Sequence, residues 1–192
     1  EHLRLHIKVV GLANSQKMII DDNGIDCSHG QEKLQSGEAA NINDFVNIII
    51  GKNLSNTIFI DVTASDAVAR VYDILLQKSV SVVACNKVAS SSAYAYYRKL
   101  KDLAREFNCQ YLFETNVGAA LPVIGTLNDL MRSGDKVNRI EAVLSGTLNF
   151  VFNNYDGKKP FADIVQQAQD EGYTEPDPRL DLSGTDVMRK IM

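Results

Sequence analysis

The densest set of side chains able to do chemistry runs Gly172-Tyr173-Thr174-Glu175-Pro176-Asp177-Pro178-Arg179-Leu180-Asp181-Leu182-Ser183-Gly184-Thr185-Asp186-Val187-Met188-Arg189-Lys190. Pro176 and Pro178 stiffen the turn and lower its conformational entropy, so Glu175 and Asp177 can be held in fixed directions. Asp186 and Lys190 stand four apart, on one face of a helix with the acid N-terminal to the base. That spacing fits an ordinary surface ion pair worth ~0.3–0.5 kcal/mol. It also fits a lysine held among carboxylates as a proton donor.

Three shorter segments carry weaker signals. Asn86-Lys87 follows directly on a strand-like run, and the carboxyl ends of parallel strands form the crevice where open α/β sheets bind ligands. A lysine there meets a phosphate or a carbonyl oxygen, or simply stands solvated in a loop. In Glu114-Thr115-Asn116-Val117-Gly118-Ala119-Ala120-Leu121-Pro122 the small residues let backbone carbonyls approach one another, as a monovalent cation requires, with Glu114 supplying charge. The same residues make a tight strand-to-helix turn. Leu144-Ser145-Gly146-Thr147-Leu148-Asn149 ends a strand-like run and opens a helix, where free amides suit a carboxylate or phosphate. Capping alone gives the same composition. His2, His6 and His29 form no ligand pattern with the cysteines or acids, and no G-x-S-x-G or Cys/His nucleophile arrangement is present.

The elements that must position these groups alternate. Leu5–Leu12 is mostly apolar and β-branched and reads as a strand; Asp21–Asn41 reads as part helix and largely surface loop; Asn43–Ile50 reads as a short helix. Thr57–Val62 reads as a buried strand. Ser65 is a candidate N-cap, and the helix after it sets Ala67, Val68, Val71, Ile74 and Leu75 on one stripe. Val80–Cys85 is the next strand, followed by a helix with Ala93, Tyr97, Leu100, Ala104 and Phe107 inward, and then by strand Cys109–Phe113. This rhythm predicts a mostly parallel sheet, half of a doubly wound domain. Beyond residue 116 a helix is expected at Leu121–Arg132, a half-wet strand at Lys136–Leu144, and helices at Thr147–Tyr155 and Phe161–Glu171 closed by Gly172 at C′. A last helix runs to the end of the chain.

Composition bounds the function. The 192 residues are 45% hydrophobic and 23% charged, enough to bury a core, and the net charge of −4 lacks the basic excess of a nucleic-acid binder. No apolar run approaches the ~20 residues needed to cross a bilayer, and Glu1–His6 shows no signal-peptide core. The scattered Cys27, Cys85 and Cys109 read as reduced thiols, with the cytoplasm as the expected compartment.

Taken together, the segments resemble the homoserine dehydrogenase family, above all the dehydrogenase part of bifunctional aspartokinase–homoserine dehydrogenases. The residues that carry the resemblance are Gly11-Leu12-Ala13-Asn14-Ser15, Asp61-Val62-Thr63-Ala64-Ser65, Asn86-Lys87, Asn116 through Ile124, Leu144 through Leu148, and Gly172 through Lys190. The last is the most specific. Val88 and Ala64 depart from the lysine and serine that relatives often carry there.

The resemblance implies an α/β fold: a partial Rossmann-type, mostly parallel sheet over 1–115 that binds NAD(P), and an α+β substrate-binding and dimerisation part over 116–192. It implies Lys190 as general acid/base, with Gly172, Glu175, Asp181 and Asp186 around the amino-acid substrate. Thr63, Ser65, Lys87, Ala13 and Asn14 would lie at the cofactor, which is NADP or NAD. Glu114 and the backbone carbonyls of Val117, Ala119 and Leu121 match a sodium site. The expected reaction interconverts L-aspartate 4-semialdehyde and L-homoserine, in a homo-oligomer with an aspartokinase fused upstream. Because the run starts at what reads as the second strand and ends two residues past Lys190, it is expected to be the middle of a larger dehydrogenase domain, with little activity alone. The competing expectation is a non-catalytic α/β regulatory or interaction module.

Overall fold

Asn14 folds the first apolar run back on itself. Its side-chain oxygen accepts from the amides of Gln16 (2.8 Å) and Lys17 (2.7 Å), an Asx turn. In this computed structural model, which describes residues 4–174 and 177–192, strands β1 (Gly11–Ala13) and β2 (Lys17–Ile20) therefore pair antiparallel, Leu12 opposite Ile19. Strand β3 (Glu38–Ala39) joins β2, also antiparallel. Two expectations are corrected here. The strand read at Leu5–Leu12 enters its ladder only at Gly11, because the Val9 and Val10 carbonyls accept from Ile25 and Asp21 in the following loop. The stretch over Asp21–Asn41, expected to be part helix and mostly loop, contains helix α1 (Gly30–Gln35) and also strand β3, which its polar residues do not predict.

Helix α2 (Ile42–Lys52) is apolar on two sides, and both are used. Asn41 caps it by accepting from the amides of Asn43 and Asp44. Phe45 and Ile49 pack with Met18 against the antiparallel sheet, while Val46 joins the main core.

That core lies under a second, parallel sheet of β4 (Ile58–Asp61), β5 (Ser81–Ala84) and β6 (Tyr111–Leu112), with Asp61 opposite Ala84 and Val83 opposite Leu112. Helices α3 (Asp66–Ala69) and α4 (Tyr72–Leu76) connect β4 to β5, and α5 (Tyr94–Glu106) connects β5 to β6. Tyr72, Leu75, Leu76, Val82 and Leu100 are wholly buried between them. Among the described residues the sheet is covered on one face only. Phe59 faces the core, whereas Ile58 and Ile60 are exposed, so β4 is not the fully buried strand its run of apolar residues predicts. The single helix expected after Ser65 breaks at Arg70–Val71. Ala67 and Ile74 consequently point outward, and Tyr72 and Leu76 take the inner positions.

The remaining chain is helical: α6 (Val123–Arg132), α7 (Gly146–Asn154), α8 (Phe161–Asp170), α9 (Pro178–Leu182) and α10 (Thr185–Ile191). Val151, Ile164 and Ala168 form its small core. The strand expected at Lys136–Leu144 pairs with no other among the described residues. Its Val137, Ile140 and Val143 stand in solvent, since alternation alone makes no sheet without a partner edge. Among the described residues, no helix is long and apolar enough to cross a membrane. All three cysteines are free thiols.

Candidate functional site

The carboxyl ends of the parallel strands are tied together by a buried acid. Asp61 closes β4 and is 1% exposed. Its Oδ2 accepts from Tyr72 Oη (2.5 Å) and Asn86 Nδ2 (3.0 Å), and its Oδ1 accepts from the Thr63 amide (2.7 Å). Burial, with the Asp61 hydrogen bond second, pushes the Tyr72 hydroxyl far above the ordinary phenol range, so it stays a donor. Asn86 Nδ2 also donates to the Ser65 carbonyl (2.9 Å), and Asn86 Oδ1 accepts from the Val88 amide (3.0 Å). Asn116, after β6, completes the arrangement. With its amide turned to satisfy all partners, it donates to the Ala84 and Cys85 carbonyls (3.1 and 3.0 Å) and accepts from Ser90 Oγ (2.9 Å).

Immediately after Asn86, Lys87 reaches across to the carboxyl-terminal helices. Its ammonium lies 3.3 Å from Asp186 Oδ1, and the other Asp186 oxygen lies 2.6 Å from Lys190 Nζ. Lys190 Nζ donates as well to the Leu144 carbonyl (2.7 Å). The Lys190 side chain is 20% exposed and that of Asp186 47%, so the pair predicted from i, i+4 spacing is shielded from water on its lysine side and open on its acid side. Two ammonium groups thus share the Asp186 carboxylate. Burial drives the Asp186 carboxyl up, but the hydrogen bonds and charges of Lys190 and Lys87 together outweigh it. Asp186 therefore titrates below the usual carboxylate range.

A second polar node stands beside the first. Thr147, in the first turn of α7 and 4% exposed, donates toward the Tyr173 carbonyl and lies 2.9 Å from Asp181 Oδ1. Ser145 caps the same helix through the Leu148 amide. Gly172 sits where expected, just past α8, at φ +78°. The Gly172 amide bonds the Gln169 carbonyl and the Tyr173 amide bonds the Ala168 carbonyl, a Schellman closure. The chain thereby reverses and delivers the Tyr173 carbonyl to Thr147. Asp177 caps α9 and grips Arg179, which holds the Asp177 carboxyl below its ordinary value. Glu175 lies outside the described residues.

The other expected site residues are distributed as follows. Thr63 Oγ1 accepts from the Ser65 amide and Ser65 Oγ from the Val68 amide, so both shape the loop at the carboxyl end of β4, next to Asn86. Ala13 and Asn14 form the hairpin turn of the antiparallel sheet. Glu114 accepts from the amides of Ile124 (2.9 Å) and Gly125 (2.7 Å), capping α6. A Cβ at Gly125 would lie 3.1 Å from Glu114 Oε2, so glycine is what lets the carboxylate approach. The Leu121 carbonyl accepts from Val123. Carboxylate and carbonyl oxygens each keep further lone pairs, so the donor chemistry of this loop fits a monovalent ion. Among the described residues, no group of three His, Cys, Asp or Glu side chains could hold a metal.

Sequence reasoning assigned no role to Asp61, Tyr72 or Thr147. An acid closing an otherwise apolar strand was the available sign for Asp61. Nothing in the spacing distinguishes Tyr72 from an ordinary core aromatic.

Comparison with known proteins bears on this geometry. Residues 1–114 match the family model of the homoserine dehydrogenase NAD-binding domain, and residues 122–192 match that of homoserine dehydrogenase itself. A Zea mays bifunctional aspartokinase/homoserine dehydrogenase, described as chloroplastic, is 43% identical over all of this chain and 21% of its own length. The chain thus spans about a fifth of that relative. Among solved structures, a Candida auris protein of unknown function superposes with a TM-score of 0.85 at 32% identity, covering 98% of this chain and 55% of its own. A hyperthermophilic archaeal homoserine dehydrogenase in complex with NADPH superposes with a TM-score of 0.78 at 27% identity, covering 95% and 57%.

Proposed function

This chain belongs to the homoserine dehydrogenase family, and from that premise we propose that its strand-end crevice interconverts L-aspartate 4-semialdehyde and L-homoserine with NAD(P)H. The observation that carries the reading is the Lys190 amine, held at once by Asp186 and by the Leu144 carbonyl. An ammonium has three donors. With two engaged, the third is free for the aldehyde oxygen, where it supplies the proton that the developing alkoxide needs. Positioned acid catalysis of this kind is typically worth ~10²–10⁴-fold.

A nicotinamide cofactor, when bound, supplies the hydride. Thr63, Ser65 and Lys87 would border it, at the strand ends where open α/β sheets take ligands, and Lys87 would face the substrate as well. Ala13-Asn14-Ser15 carries no acid to hold a ribose 2′-hydroxyl, which favours NADP over NAD. Asp181 and Glu175 would meet the substrate's ammonium, Gly172 would shape the turn beside it, and Asp186 would hold both lysines in place. The Glu114 loop, with the carbonyls of Val117, Ala119 and Leu121, would hold sodium. The working protein is read as a homo-oligomer with an aspartokinase fused upstream; the maize relative's name likewise pairs aspartokinase with homoserine dehydrogenase.

The test is Lys190→Ala in the full-length protein, assayed for NADPH oxidation with aspartate semialdehyde. Turnover is expected to vanish with cofactor affinity nearly unchanged; a near-normal kcat would remove Lys190 as proton donor.

A further inference from the structure

We infer that Asp61, Tyr72 and Asn86 form a positioning device that fixes the direction in which Lys87 enters the crevice, an inference that rests on reading this crevice as the substrate site. A carboxylate at the end of a strand and shut away from solvent is an expensive choice where an apolar side chain would pack. Asp61 accepts from three donors on three separate segments: Tyr72 on α4, Asn86 after β5, and the Thr63 amide in its own loop. Their common effect is to set the loop after β4 against the loop after β5.

Asn86 leaves no slack in this arrangement. Its amide nitrogen is shared between Asp61 and the Ser65 carbonyl, and its oxygen takes the Val88 amide. The backbone is therefore clamped on both sides of Lys87. The Lys87 carbonyl is held too, by the Ser91 amide (3.0 Å) and Ser91 Oγ (2.6 Å). A lysine is a long, rotamer-rich side chain. What limits where its ammonium reaches is the fixed root, and that root stands so that Nζ meets Asp186 at 3.3 Å. Tyr72 carries the constraint into the body of the fold, since its wholly buried ring packs against Phe59 and Tyr111. Core and crevice are thereby coupled through one phenol.

The experiment is a double-mutant cycle in the full-length protein, read as the dissociation constant of homoserine by calorimetry with NADPH present, a dead-end pair in which no hydride acceptor is available and no turnover occurs. Tyr72→Phe keeps the ring and deletes the donor. A small shift of a positioned group is felt strongly, so it should weaken homoserine about 10-fold when Lys87 is present. In a Lys87→Ala background, with nothing left to position, the same change should cost less than about 2-fold. Equal losses in both backgrounds, or none in the first, would overturn the inference, because a merely structural bond acts regardless of Lys87. If Tyr72→Phe does not fold, Asn86→Ser in the same cycle is expected to show the same non-additivity, and additivity there would count equally against the proposal. Failure of the unmutated protein to bind homoserine would instead bring down the functional reading, and this inference with it.

Discussion

Lys87 and Lys190 share one carboxylate: each oxygen of Asp186 faces one of the two ammonium groups, at 3.3 and 2.6 Å. One lysine comes from the loop after a strand of the parallel sheet and the other from the last helix. The ion pairs therefore join the parallel sheet to the carboxyl-terminal helix at the point where the chemistry is proposed.

Asp186→Asn keeps the shape and removes the charge, leaving two ammonium groups close together without their shared counterion. We expect kcat/KM for the aldehyde to fall about 10²-fold, with a smaller change in cofactor affinity, checked by steady-state kinetics and fluorescence titration. A pH dependence accompanies it. Because the folded Asp186 carboxyl titrates below its ordinary value, its stabilisation is complete above the unfolded carboxyl value of about 3.9. It is lost as pH falls through the lower folded value. Acid unfolding monitored by circular dichroism should show this component in the wild type and lack it in Asp186→Asn.

Thr147→Val tests the second node. The replacement is nearly isosteric but deprives the Tyr173 carbonyl and Asp181 of a hydroxyl at a position 4% exposed. Losing the hydrogen bond of this buried hydroxyl costs about 0.5–1.5 kcal/mol, so the melting temperature should drop. Because Asp181 is the acid proposed to meet the substrate ammonium, KM for homoserine should rise more than kcat falls. An unchanged KM with a lowered melting temperature would reduce Thr147 to a packing residue.

How much of this was legible beforehand depended on range. The Asp186–Lys190 pair and the Gly172 closure are local, within one helical turn or one helix end, and spacing predicted both. The parallel sheet followed from strands alternating with crossover-length helices. The hairpin at Asn14 went unseen because an Asx turn between two short apolar runs reads as one broken strand. The stripe expected after Ser65 holds at Val68, Val71 and Leu75, which join or pack against the core. Ala67 and Ile74 turn outward because the helix breaks at Arg70–Val71, which brings Tyr72 inward to Asp61 at the end of β4. The Lys136–Leu144 run has the alternation of a strand, but pairing depends on an edge that no local pattern supplies. Lys87 meeting Asp186 is likewise a tertiary fact. Neither residue's neighbours announce it.

Glu114→Gln separates two roles that one side chain can hold together. In the structure both carboxylate oxygens accept amide hydrogens from the first turn of α6, where a negative charge also opposes the positive end of the helix. An amide side chain offers only one oxygen and turns its NH₂ toward the second N–H. The cap and its charge are thus both weakened, by about 1–2 kcal/mol on the scale of helix-cap losses, and the melting temperature should fall by several degrees in any buffer. The proposed sodium adds a separate signature. Replacing sodium with choline at equal ionic strength should lower the wild-type melting temperature, while Glu114→Gln, already lacking the anionic ligand, should respond little. If the wild type melts at the same temperature in both salts, Glu114 serves as a helix cap and the cation reading of this loop is wrong.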